Sequence, residues 1–482
     1  MTEAARQETR QEIKPDICVL GGGPGGLAAA AAAAAFGVNV VLVENSKLAG
    51  ASPHGGSLPA KALLAAAERA IVARSGARFR PRAARSGADF AAARDHVHDV
   101  IAAAAPQESR ERFNGLGVRV VEGGARFTDP ATVTVNGFDI RARRFVIATG
   151  SSPSLPAIPG LADTPHLTEE TVFDLPDCPR HLIVIGAETA ALELAQAFRR
   201  LGSAVTVLAS AQPLADEDAE CAGIVLDGLT REGVVIRRGV DVAQVRRVLA
   251  RVQVEIATEA GHETIEGTHL LVAAGRRPNL ENLDLDTAGI RYGPTGITVD
   301  PRLRTTNKQV YAIGDVTDGP RFTHLANHHA GLVIRHALFR TPVRADRLAV
   351  PRVTFTDPEL AQVGLGEDEA RAHCGVIRVL RSSYRENDRA LATGATHGHI
   401  KIVTDRRGDI LGATLVGAGA AENIAAWTLA INQKLNIDAF AGVIVPYPTY
   451  AEVGKRAAMT YFTRGLTAPL TRRIIGWLRR FG

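Results

Sequence analysis

Short apolar runs separated by glycine clusters and alanine-rich stretches organise this chain of 482 residues. Ile17–Leu20 is wholly apolar, a glycine cluster follows, alanines run to about Phe36, and residues 38–43 are apolar again. Unbroken apolar runs of this length read as strands, and the alanine stretch reads as a helix. Residues 17–43 contain no charge and could span a bilayer by length alone. The Gly-Pro-Gly break and the low transfer energy of alanine and glycine favour strand, turn, helix and strand instead. A third run, Arg144–Ile147, enters Ala148-Thr149-Gly150. The order then repeats: His181–Ile185, a helix to Leu201, a strand over 204–208, and His269–Val272 running into Ala273-Ala274-Gly275. Apolar strands return between His399 and Val416, while residues 1–14 are polar and are expected to fray.

Gly21-x-Gly23-x-x-Gly26, with Pro24 inside the loop, joins the first strand to the first helix. The first glycine permits the tight turn, the second lets backbone approach a pyrophosphate, and the third lets helix and strand pack closely. The helix N-terminus offers N–H groups to the phosphates, and Glu44 ends the next strand, where a carboxylate can take both hydroxyls of a ribose. In the second unit Gly186 and Ala209 are spaced as Gly21 and Glu44 are, so Glu188 stands in the place of Gly23, Ala191 in that of Gly26 and Ala209 in that of Glu44. A carboxylate 4 Å from a phosphate charge is repelled by about 4 kcal/mol at an effective dielectric near 20. The second fingerprint has therefore lost its chemistry, and tight NAD(P)H binding is not expected there.

Composition narrows the class. Hydrophobic residues are 46% and charged residues 22%, so the chain is globular, and a net charge of +5 is spread without a basic stripe. Aromatics at 5% add no stacking platform, which argues against a nucleic-acid partner. Cys18, Cys178, Cys221 and Cys374 are far apart, with no CxxC pair and no metal-ligand spacing; the pattern fits a reducing, cytoplasmic setting and no metal site.

The ordered motifs GGGPGG, Ala148-Thr149-Gly150, Gly275-Arg276-Arg277-Pro278-Asn279 and Tyr311-Ala-Ile-Gly314-Asp315 resemble the pyridine nucleotide-disulfide oxidoreductase family, which includes dihydrolipoamide dehydrogenase and mercuric reductase. The likeness implies an α/β fold with two Rossmann-like domains, for FAD and for a degenerate NAD site, and a C-terminal α+β dimerisation domain. The boundaries it suggests are residues 15–153 and 281–349 for FAD, 154–280 for the NAD(P)-like domain, 350–470 for dimerisation, and 471–482 as a basic amphipathic tail. Thr356-Asp357-Pro358-Glu359 suits the dimerisation domain, and Asn387-Asp388-Arg389-Ala390 with Pro446-Tyr447 is similar to the mercuric reductase branch. By this resemblance Gly314 and Asp315 hold the FAD ribityl chain. The helix near His324-Leu325-Ala326 points its positive end at the flavin, and Lys61 and Glu193 form an ion pair beside flavin N5.

Two departures change the expected reaction. The family's redox dithiol falls on Ser52 and Ser57, in Ser52-Pro53-His54-Gly55-Gly56-Ser57-Leu58-Pro59-Ala60-Lys61. An alcohol cannot attack a disulfide or form a thiolate adduct with flavin, so disulfide and mercuric reductase activities are not expected. The family's catalytic histidine falls on Tyr447, while Glu452 remains. Across a homodimer Tyr447 would face Ser52 and Ser57, and serves either in packing or at the site; His54 is a candidate general base. The expected function is FAD-dependent oxidation of a small organic substrate at flavin N5, with oxygen or a quinone as acceptor. Two alternatives stay open: an NAD(P)H-dependent diaphorase or quinone reductase, and a non-catalytic FAD-binding dimer. In the tail, Ile474, Ile475, Trp477, Leu478 and Phe481 share one helical face with arginines around the other. That suits either packing on its own domain or a dimer partner, or shallow contact with anionic lipid.

Overall fold

The computed structural model describes residues 10–46, 48, 56–75, 89–258, 261–345, 349–466 and 469–481. Two compact units emerge: Met1–Ala157, Pro165–Cys178 and Leu271–Asp346 form the first, and Ile158–Thr164, Pro179–Leu270 and Arg347–Gly482 form the second.

The first unit is built on a five-stranded sheet in the order Val310–Ala312, Arg144–Ile147, Ile17–Leu20, Val40–Glu44, Val118–Glu122, every neighbour parallel. Residues 17–20 and 40–43 of its central strands are all apolar because both faces are covered. Ile17, Val19, Val40 and Leu42 pack with the Pro24–Ala35 helix and with Val333 and Ile334 of the Thr323–Phe339 helix. Cys18, Leu20, Val41 and Val43 face Phe127, Phe145 and Leu283 on the other side. The two-residue alternation thus splits an unbroken apolar run between two cores. Alanine at every position from 28 to 35 gives the Pro24–Ala35 helix strong propensity and lets it sit close to the sheet. No helix of the described residues is long and apolar enough to cross a membrane.

Local boundaries differ slightly from the sequence expectation. The helix stops at Ala35 because Gly37 takes φ 72°, and the next strand runs Val40–Glu44, so Glu44 itself belongs to the strand. Of the arm expected over residues 1–14, residues 1–9 lie outside the described residues, and Gln11–Ile13 is a strand pairing in parallel with Phe138–Ile140 rather than frayed; its backbone N–H and C=O groups find a sheet edge despite polar side chains.

The second unit repeats the motif with His181–Ile185, Ala204–Ala209 and Val234–Arg238 in parallel. A three-stranded antiparallel meander, Asp241–Val248, Arg251–Thr258 and Gly261–Gly267, follows. The same unit holds a five-stranded antiparallel sheet in the order Arg352–Thr354, Leu360–Gly364, Ile410–Val416, His399–Asp405, Ile377–Ser383. Ile400, Ile402, Ala413 and Leu415 of this sheet pack with Ile424 and Trp427 of the Ala420–Asn432 helix and Val453 and Ala457 of the Glu452–Leu466 helix.

Candidate functional site

At the carboxyl ends of the first unit's parallel strands, the loop from Gly21 to Gly26 is forced into shape by its neighbours. Gly21 has φ 104°, and a Cβ there would lie 2.4 Å from Ala148 O; at Gly26 a Cβ would lie 1.9 Å from Gly21 O. Neither position admits a side chain. Gly23 is different: a Cβ there would meet no described atom within 4 Å. Its glycine keeps open a space that borders the start of the Pro24–Ala35 helix, where Gly23 is the N-cap and no side chain caps the first turn. The first N–H groups of a helix have no partner within it, and the dipole adds partial positive charge there. That open cradle fits a diphosphate.

Glu44 is buried beside it. Its Oε2 accepts from Gly22 N–H at 2.5 Å, and its Oε1 accepts from Ser46 N–H and Ser46 Oγ at 2.8 Å each. The strand end, the loop and the carboxylate are therefore one rigid piece.

Ala148, Thr149 and Gly150 leave the neighbouring strand, with Gly150 at φ 69°. Thr149 Oγ1 donates to Asn279 O at 2.8 Å and Asn279 Nδ2 donates to Thr149 O at 2.9 Å, so the two motifs brace each other. Ser151–Pro153 pairs antiparallel with Arg276–Pro278. Through this pairing Arg276 Nε donates to Ser151 Oγ, and Ser151 Oγ donates to Asp315 Oδ2, each at 2.8 Å. Glu169 and Glu170 hold the other end of the Arg276 guanidinium at 2.8 and 2.7 Å. Burial pushes the Glu169 carboxyl up, partly offset by Arg276. Asp315 follows Gly314, whose φ of 68° and closeness to Ala326 (2.9 Å from a built Cβ) leave room only for hydrogen. Ala326 also limits Gly25, and Leu325 is buried next to it on the Thr323–Phe339 helix. Thus Gly21, Gly23, Pro24, Gly26, Glu44, Ala148, Thr149, Gly150, Gly314, Asp315, Leu325 and Ala326 all belong to one unit. The Arg276–Ser151–Asp315 relay was not expected: its members are far apart in sequence and meet only through strand pairing.

The second unit's loop has the same backbone and a different surface. Gly186 takes φ 116°, and Glu188 caps the Thr189–Leu201 helix at φ −83°, ψ 177°, against −72° and −179° at Gly23. The Glu188 side chain is exposed and makes no cap hydrogen bond. Ala209 and Ala191 are buried, and the position of Glu44 holds no carboxylate. The second loop thus carries an exposed carboxylate at the cap position that glycine holds in the first, and a buried methyl at the strand-end position that Glu44 holds.

Of the remaining expected residues, Lys61 and Ser57 lie on the Ser57–Ser75 helix of the first unit. Ser52 and His54 fall outside the described residues. Glu193, in the second unit, is 2% exposed and its Oε1 accepts from Phe355 N–H at 2.8 Å, so it is no surface charge. Two further buried polar groups share its helix face: Gln196, bonded to Asp357 and Glu232, and Arg200, bonded to Glu232 and Asp357. Tyr447 is 70% exposed, donates to Asp388 Oδ2 at 2.8 Å, and is pushed above the usual phenol range by that bond. Glu452 Oε2 accepts from Thr449 N–H at 3.3 Å. Burial pushes the Cys18 and Cys221 thiols up, away from thiolate chemistry. No metal cluster occurs among the described residues.

Strand order, glycine cradle and strand-end carboxylate define a dinucleotide-binding fold. The chain belongs to the pyridine nucleotide-disulphide oxidoreductase family, whose pattern matches residues 15–330, with that family's dimerisation domain matching residues 350–458. Members are FAD-dependent oxidoreductases. The chain is similar to the mercuric reductase of Staphylococcus aureus, with 32% identity over 449 residues covering 92% of this chain and 82% of that one. It is also similar to dihydrolipoyl dehydrogenase 3 of Pseudomonas aeruginosa, with 34% identity over 465 residues, 94% of this chain and 98% of that one. Among solved structures, LpdA from Mycobacterium tuberculosis superposes with a TM-score of 0.84 at 26% identity, covering 94% of this chain and 99% of that one.

Proposed function

We propose that this chain is an FAD-dependent oxidoreductase that oxidises a small organic substrate directly at the flavin, without a dithiol relay, and yields the electrons to oxygen or a quinone. The contrast between the two loops carries the reading: Gly23 leaves open space beside buried Glu44, whereas Glu188 brings an exposed carboxylate side chain to the matching cap position and Ala209 offers none at the strand end. FAD, when bound, supplies a two-electron acceptor. Gly21, Gly23, Pro24, Gly26 and the first turn of the Pro24–Ala35 helix would hold the diphosphate, and Glu44 the ribose. Ala148, Thr149, Gly150, Gly314 and Asp315 would line the central part, with Asp315 oriented by Ser151 and Arg276. Leu325 and Ala326 would set the helix end toward the ring. In this reading Lys61 lies next to it, and Ser52, His54 and Ser57 shape the substrate side with His54 as base. Tyr447 and Glu452 complete the site across a homodimer. The names of the relatives do not transfer as activities, because residues 44–61 contain no cysteine and serine cannot relay electrons.

A diaphorase reading is favoured by one observation: the Glu188 backbone keeps the cap conformation of Gly23 and its side chain is unengaged in the cap, so it can turn to solvent. The test begins with bound flavin in the purified protein, followed by anaerobic addition of amines, hydroxy acids and thiols. The expected result is bleaching by one class, reversed by air or a quinone, with no turnover of disulfides or mercuric ion. Protein without FAD, or disulfide turnover, contradicts the proposal; bound flavin that no donor bleaches leaves the non-catalytic dimer.

A further inference from the structure

We propose that the last helix described, Pro469–Leu478, continued by Phe481, is a docking surface for an anionic lipid bilayer. Every described side chain from Arg472 to Phe481 is exposed, so the helix does not bury its apolar face in its own unit. Ile474, Ile475, Trp477 and Leu478 are each about half exposed and Phe481 is 72% exposed; the rings of Trp477 and Phe481 meet edge to face at 4.9 Å. One contiguous apolar surface of this kind marks an interaction site, unlike scattered exposed residues.

At 100° per residue the apolar side chains fall on one side, while Arg472, Arg473, Arg479 and Arg480 gather around Gly476 on the other. No acidic residue follows Glu452 in the sequence, and none of the four arginines pairs with a carboxylate among the described residues. A helix this short cannot span a bilayer, but it can lie in the headgroup layer with aromatic and aliphatic side chains down and arginines among the phosphates. Packing on a second copy would cover the apolar side yet bring no carboxylate from this segment to the arginines; an anionic lipid surface answers both sides. The helix also lies beyond residues 350–458, the part matched by the family's dimerisation domain. The inference rests on this segment alone and holds for any electron acceptor.

The experiment uses the full chain with vesicles of phosphatidylcholine alone and of phosphatidylcholine mixed with phosphatidylglycerol. Sedimentation reports binding, and tryptophan emission reports depth. The chain has two tryptophans, and Trp427 is buried and stacked on Phe440 at 3.8 Å, so a vesicle-induced change belongs to Trp477. The expected result is sedimentation with the anionic vesicles only, weakened by salt, with a blue shift of the emission. The R472E/R473E variant should bind at least roughly thirtyfold more weakly, since each arginine near an anionic surface is worth about fivefold. Trp477→Ala should lose both binding and the shift. No binding to anionic vesicles, equal binding to both kinds, or binding unchanged in R472E/R473E overturns the proposal. So does Trp477 emission that is already blue-shifted without lipid, together with a lower sedimentation mass when residues 469–482 are removed, because a second copy then covers the helix.

Discussion

In the first unit Gly21 N–H donates to Val43 O at 2.8 Å and Gly123 N–H to Glu44 O at 2.8 Å; in the second, Gly186 N–H donates to Leu208 O at 3.0 Å and Val240 N–H to Ala209 O at 3.2 Å. The turn is held in the same way twice. The side chains diverge: glycine against Glu188 at the cap, and a carboxylate fixed by Gly22 and Ser46 against a buried methyl. The second unit's polar effort has moved to the back of its helix, where Glu193, Gln196 and Arg200 bond to residues 355–357 and Glu232. One backbone motif thus presents two different surfaces, and the residues at two or three positions set the difference.

The two loops should differ most at Gly26 and its counterpart Ala191. Gly26→Ala places a Cβ against Gly21 O and should cost about 3 kcal/mol or more, with loss of bound flavin; Ala191→Gly in the second loop should cost only about 1 kcal/mol. The flavin-to-protein absorbance ratio and thermal midpoints check both. Next in size, Lys401→Ala in the second unit strands Asp218, since the pair is bonded at 2.7 Å with side chains 8% and 7% exposed. The expected loss is about 3 kcal/mol. Burial opposes the charge on both groups, but their mutual bond prevails, holding Asp218 below and Lys401 above their ordinary values. Asp218 stabilises the fold above its unfolded value and loses this as pH falls through its lowered one. Lys401 stabilises below its unfolded value and loses this as pH rises through its raised one. A plot of thermal midpoint against pH should therefore drop at both extremes in the native protein, and Lys401→Ala should remove the alkaline drop. Glu44→Ala should weaken flavin retention by about 2 kcal/mol by leaving Gly22 N–H without its acceptor, measured by flavin release on dilution. Rebuilding the second cradle with E188G and A209E should raise the rate of flavin bleaching by NADH at least roughly tenfold, equivalent to about 1.4 kcal/mol. Tyr447→Phe removes only the exposed bond to Asp388, and the thermal midpoint should stay unchanged.

What the sequence made legible was local. Glycine spacing, strand-end Glu44 and the apolar runs each announce a backbone constraint within some twenty-odd residues, and the loop and sheet follow them. Glu193 was singled out only through the family resemblance, and Gln196 and Arg200 not at all, because spacing does not distinguish water from the Phe355 and Asp357 backbone groups that meet them. Arg276 was visible as part of a motif, but its grip on Ser151, Glu169 and Glu170 depends on Ser151–Pro153 meeting Arg276–Pro278. The tail showed its amphipathic pattern at once; only the structure shows that its own unit leaves the apolar side uncovered.

Anaerobic mixing of the flavin-loaded protein with NADH, and separately with NADPH, tests the difference between the loops most directly. With Glu188 and Ala209 in place the oxidised flavin absorbance should persist through both additions. Rapid bleaching by either nucleotide would contradict the account.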